Sequence, residues 1–90
     1  MSEAALRDTG ERYELDEDNL TSWADYRLSG DRIFIDHVES PVALRGTGAA
    51  GRLMAGLLDR IRAQGLKVVP VCPYAAAYIR RHPQYADLLA

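Results

Sequence analysis

Three glycines, Gly46, Gly48 and Gly51, fall within six residues and spell G-x-G-x-x-G, after which the chain turns apolar through Leu53-Met54. Glycines at a helix start let backbone N–H groups approach a ligand closely. The unpaired amides there, together with the positive end of the helix dipole, bind an anion. The chemistry this stretch could serve is phosphate binding. A nucleoside triphosphate loop needs Gly-Lys-Ser/Thr after the glycines, and Gly51-Arg52-Leu53 stands here instead. A dinucleotide site needs the glycines directly after a strand, and an acid about 20 residues on for the ribose. Here Pro41 intervenes, and Val71-Cys72-Pro73 occupies the later position. ATP-type and NAD-type binding are therefore not expected.

The elements that must position this loop follow from periodicity. Met1 to Thr9 is polar and without period, which predicts a loose tail over residues 1–9 ahead of a domain over residues 10–90. Arg12 to Leu15 reads as a short strand and Asp16 to Asn19 as an acidic turn. Leu20 to Leu28 alternates, with Leu20, Ser22, Ala24, Tyr26 and Leu28 on one face and Trp23 on the other. Ser29-Gly30-Asp31 fits a hairpin connection to a strand over Arg32–Glu39. In that strand strict alternation puts Ile33, Ile35, His37 and Glu39 on one side, and Phe34 and Val38 on the other. After Pro41 and the glycine loop, a helix is expected from about Thr47 to Gln64, burying Leu53, Met54, Leu57, Leu58 and Ile61. Lys67 to Val71 is a short strand, Pro73 suits the first turn of a second helix to about Arg81, and Pro83 stops it. Tyr85 to Leu89 adds one more turn. The order β-β-β-loop-α-β-α predicts an α+β, mixed α/β fold: an antiparallel meander leads into one β-α-β crossover, with helices packed on a mixed sheet.

Length and charge bound the function. Ninety residues make one domain with a thin core. The single cysteine, Cys72, excludes an internal disulfide and suits a reducing cytoplasm. No basic-then-apolar leader and no membrane-spanning apolar run is legible, so a cytoplasmic location without a membrane partner is expected. Net charge is −2, but residues 1–39 hold eleven acids against four basic groups, and residues 40–90 hold two against seven. The glycine loop lies in the basic part, which suits a ligand with several phosphates. No dense Lys/Arg patch points to nucleic acid. His37, His82 and Cys72 lack any recognised metal spacing, so no metal is expected.

Arg45-Gly46-Thr47-Gly48-Ala49-Ala50 resembles the Arg/Gln-x-x-Gly-x-Gly/Ala pyrophosphate loop of the GNAT superfamily, the acetyl-CoA-dependent N-acetyltransferases. Glu39-Ser40-Pro41, Gln64 to Pro70, Cys72-Pro73-Tyr74 and Tyr78-Ile79-Arg80-Arg81-His82-Pro83 extend the resemblance to a minimal, single-domain GNAT-like subgroup. One departure is Ala49-Ala50-Gly51, looser than the bulky residue and small pair common in the family; a glycine in the first turn costs up to about 1 kcal/mol.

The resemblance implies an acetyl-CoA-binding protein that moves an acetyl group to an amine, either a small molecule or a lysine-bearing peptide. It implies a cofactor site made of Arg45, Gly46, Thr47, Gly48, Ala49, Ala50 and Gly51, with Cys72, Tyr74, Tyr78 and Arg81. The alternative is a non-catalytic CoA-binding or protein-interaction module. Pro70 cannot donate a ladder hydrogen bond, so either the sheet splays there, leaving a slot for the pantetheine arm, or Pro70 is simply an edge-strand proline. Glu39 is a candidate general base or a solvated strand-end carboxylate; His37 is a structural histidine or a base. Cys72, at the N-cap of the second helix, is a nucleophile carrying acetyl in two steps, a lining residue of the acetyl pocket, or a small buried apolar residue. Tyr74 and Tyr78 line the channel and could protonate the leaving thiolate, or simply pack. Arg80, Arg81 and His82 are cations at a helix end, where the dipole favours them, and one arginine could reach a phosphate.

Overall fold

The computed structural model describes residues 5–90. Within them lie β1 (Ala5–Asp8), β2 (Arg12–Glu17), β3 (Leu20–Ser29), β4 (Arg32–Glu39), α1 (Ala49–Ala63), β5 (Lys67–Pro70) and α2 (Pro73–Arg81), with 3-10 turns at Val42–Leu44 and Pro83–Leu88. The strands form one sheet in the order β1-β2-β3-β4-β5. The first four pair antiparallel and β4 pairs parallel with β5, as a meander followed by a crossover requires.

One core cluster unites the sheet's inner face with both helices. Tyr13, Leu15, Ala24, Tyr26, Ile33 and Ile35 meet the α1 stripe of Leu53, Met54, Leu57, Leu58 and Ile61, together with Ala75 and Ile79 of α2. The α1 stripe is the expected one, and all five of its residues are fully buried.

The loose tail expected over residues 1–9 is corrected from Ala5 onward; residues 1–4 lie outside the described residues. β1 pairs with β2 from Ala5↔Asp16 to Asp8↔Tyr13. Its single described apolar side chain, Leu6, packs on the core at Gly56, where a Cβ would come within 3.2 Å of Leu6. Arg60 donates to the Leu6 carbonyl at 3.0 Å, and the Tyr26 hydroxyl donates to Asp8 at 2.6 Å. Tertiary contacts thus make a strand of a stretch without local signal.

The alternation expected for β4 is corrected as well. Asp25 faces His37 while Tyr26 faces Ile35, so Asp36 is an extra residue and forms a β-bulge. One inserted residue reverses the parity beyond it. Val38, opposite the buried Ala24, packs on the core, whereas His37 and Glu39 share the outer face with Asp25 and Trp23. The outer face is polar and laced by Arg7–Glu14, Arg12–Asp25 and Arg27–Asp36 pairs.

Candidate functional site

Helix α1 begins on Gly48, whose φ of 85° is left-handed, and no side chain caps it. Its first amides therefore have no partner inside the helix. The loop ahead of it is shaped from within: Arg45 N–H donates to the Val42 carbonyl, and Thr47 donates to the Leu44 carbonyl through both its N–H (3.1 Å) and its hydroxyl (2.6 Å). The Thr47 hydroxyl is thus spent on the loop's own fold.

Two cavities meet at this helix start. One, of about 240 Å³, is lined by Ser40, Leu44, Arg45, Gly46, Gly48, Ala49, Ala50, Gly51 and Tyr74. The other, of about 480 Å³, runs between the helices past Gly48, Gly51, Arg52, Ala55, Tyr74, Ala77, Tyr78, Arg81 and His82. They share Gly48, Gly51 and Tyr74. The second groove has two walls with helical spacing: residues 48, 51, 52 and 55 on α1, and 74, 77, 78, 81 and 82 on α2 and its C-cap. Apart from Arg52 the α1 wall is built of small residues, and a Cβ at Gly51 would touch Tyr78 at an ordinary 3.6 Å. The α2 wall is aromatic and basic. Tyr78 stacks on His82 with centroids 3.9 Å apart, and Tyr74 lies 6.4 Å from Tyr78. His82 Nδ1 donates to the Tyr78 carbonyl at 2.7 Å, which fixes the tautomer and leaves Nε2 unprotonated in the neutral ring. Burial raises both Tyr74 and Tyr78 above the ordinary phenol value, so both hold their protons at neutral pH.

The structure thus gathers Arg45, Gly46, Gly48, Ala49, Ala50, Gly51, Tyr74, Tyr78 and Arg81 around one connected space. Thr47 shapes that space without lining it, and Cys72 and Glu39 line neither cavity. Cys72 is the N-cap of α2, as its place before Pro73 predicts, but it is only 6% exposed and belongs to the core cluster. Its N–H donates to the Ile35 carbonyl at 2.9 Å. That bond sits one residue before the bulge and just past Ile35↔Pro70, the last β4–β5 pair. Beyond it β4 runs on from Asp36 to Glu39 with no residue of β5 opposite. β5 is an edge strand that ends at Pro70, and the Cys72–Ile35 bond keeps the chain against β4 just past it, so Pro70 stands as an edge-strand proline.

Glu39 is held from two sides, by His37 Nε2 at 3.2 Å and Arg45 Nη2 at 3.5 Å. The hydrogen bond from His37 is the main cause that holds its carboxyl below the usual range. Sequence reasoning missed Ser40, Leu44, Arg52, Ala55, Ala77 and His82 as lining residues. The 74/77/78/81/82 stripe was the available signal. Ser40, which donates to the fully buried Ser22 at 2.9 Å, carries none.

A profile described as GCN5-related N-acetyl-transferase matches residues 12–88. No curated protein matches the chain. Among solved structures, a solution NMR structure of a GCN5-like protein from Staphylococcus aureus, itself only provisionally assigned as an N-acetyltransferase, superposes with a TM-score of 0.72 at 22% identity. The match covers 100% of this chain and 91% of that one, and it shows the fold. Glycine loop, crossover and groove occur here in the framework of that profile, and the chain belongs to the GCN5-related N-acetyltransferase family.

Proposed function

We propose that this chain is a cytoplasmic acetyltransferase that binds acetyl-CoA at the head of α1 and passes the acetyl group to an amine. The observation that carries the reading is the uncapped start of α1, with Gly48 at φ 85°, opening on the two joined cavities. The fit rests on the donor set. Free amides from Gly48 onward suit a pyrophosphate. Arg81 and Arg45 add cations, and Tyr74 and Tyr78 offer flat apolar surface. Acetyl-CoA, when bound, supplies an activated thioester.

The chain's own groups account for the rest. His37 and Glu39 stand on the outer face where β4 runs past its pairing with β5, with Nε2 bonded to the carboxylate. In this arrangement Glu39 orients the ring and His37 Nδ1 takes the proton of the amine. Tyr74 and Tyr78, protonated at neutral pH, are the donors available to a leaving thiolate. The burial of Cys72 in the core cluster, away from both cavities, favours a packing role over an exposed nucleophile, hence direct attack by the amine. A second reading, CoA binding without transfer, is favoured by the engagement of Glu39 with both His37 and Arg45.

A thermal-shift comparison tests the ligand. CoA at about 100 times its dissociation constant adds roughly 2.7 kcal/mol, which raises the melting point of a domain this size by about 10 °C or more. NAD and ATP are expected to give no comparable shift. Equal stabilisation by NAD, or none by CoA, contradicts the reading. Mass-spectrometric assay of amine acetylation then separates the enzyme from the binding module.

A further inference from the structure

Arg52 lies on the α1 wall of the groove, where a guanidinium is easily taken for a phosphate ligand. Three of its five N–H donors are already engaged. Nε and Nη2 donate to the two oxygens of Glu17 at 2.7 and 3.1 Å, and Nη1 donates to the Thr47 carbonyl at 2.8 Å. Glu17 is the last residue of β2 and its side chain is only 14% exposed. It is fixed in place by the tight turn at Asp18-Asn19, both at positive φ (51° and 62°), which sets Glu17 opposite Leu20.

The Thr47 carbonyl shares its peptide plane with the N–H of Gly48, so holding one fixes the direction of the other. The guanidinium also packs on the loop itself, since a Cβ at Gly48 would fall 3.1 Å from Nη1. We propose that Glu17 and Arg52 form a clasp between the β2–β3 hairpin and the glycine loop. It positions the Gly48 amide for an anionic ligand and withholds the Arg52 charge from that ligand. The inference rests on the acetyl-CoA reading only for the choice of CoA as probe.

Wild type, Glu17→Gln and Arg52→Lys are compared by calorimetric titration with CoA and by amide hydrogen exchange of the ligand-free proteins. Glu17→Gln frees a cation for the groove, and Arg52→Lys keeps the charge but cannot serve Glu17 and the Thr47 carbonyl together. Both variants are expected to bind CoA at least about threefold more weakly, the scale of a charge-assisted bidentate pair. Both should also exchange the Gly48 amide faster by a similar factor. Unchanged exchange overturns the clasp. So does a Glu17→Gln variant that binds CoA as tightly as wild type or more tightly, because Arg52 would then be a ligand contact. If wild type itself does not bind CoA, the proposed function falls, and the exchange comparison decides the clasp alone.

Discussion

Both helices start without a side-chain cap, yet the two starts are built for different purposes. α1 opens from a left-handed glycine into a solvent-reached cavity, and its free amides face outward from a loop of small residues. α2 opens from Cys72, whose own N–H is tied to the Ile35 carbonyl and whose thiol is buried. Pro73 at the first helical position removes one donor altogether. The first start leaves its donors to a ligand, whereas the second lacks one at Pro73 and ties the Cys72 N–H to β4. An uncapped helix end signals a binding site only where the backbone around it stays reachable.

The sharpest way to break this contrast is Gly48→Val. A β-branched residue at φ 85° is strained by about 1–3 kcal/mol, and its Cβ crowds Arg52 at 3.1 Å. CoA affinity is expected to fall by about thirtyfold or more in calorimetry, with a melting point lower by about 10 °C. Retention of wild-type affinity would mean that the loop backbone is not the ligand's contact.

Cys72→Ser addresses the other helix. It places a hydroxyl in the core cluster and is expected to cost about 1–3 kcal/mol in denaturant unfolding. CoA affinity at the head of α1 should stay within about twofold of wild type. Cys72→Ala should cost less stability, about 1–2 kcal/mol, and keep turnover if the amine attacks directly. Loss of turnover with stability retained would restore Cys72 as a nucleophile.

Thr47→Ala is milder. It removes one loop hydrogen bond, at 2.6 Å to the Leu44 carbonyl, worth about 1 kcal/mol. It should weaken CoA by less than Gly48→Val does. The reverse order would put the hydroxyl, not the backbone, on the ligand.

How much of this was legible follows from where each signal is stored. β4 was readable at its observed limits, and the glycine loop and α1 to within two residues, because glycine clusters, Pro41 and a five-residue apolar stripe are local. β1 was not, because Leu6 packs against Gly56 and beside Arg60, fifty and more positions away. The bulge at Asp36 leaves no trace in Ile35-Asp36-His37-Val38, yet it turns His37 and Glu39 to the outer face. The partner of Arg52 lies 35 residues upstream, so no local pattern could name it.

The smallest expected effect is on acid stability. His37 first, then the Ser40 backbone and Arg45, hold Glu39 below its usual value beside the loop. A carboxylate depressed in the folded state contributes stability above its unfolded value of about 4.3, and that contribution is lost as pH falls through the folded value. The start of α2, held by the Cys72–Ile35 backbone bond, has no such dependence. Amide exchange at pH 5 and pH 3.5 should show the loop ahead of α1 loosening before Cys72 does. Simultaneous loosening would erase the distinction.

The most direct test of the central claim, that backbone amides at the head of α1 bind the phosphates of CoA, is a titration of 15N-labelled protein with CoA followed by amide chemical shifts. The largest changes are predicted at Gly46 to Gly51, with NAD leaving those signals in place. If CoA leaves Gly46 to Gly51 unmoved, or moves Cys72 and α2 alone, the glycine loop is not the binding site.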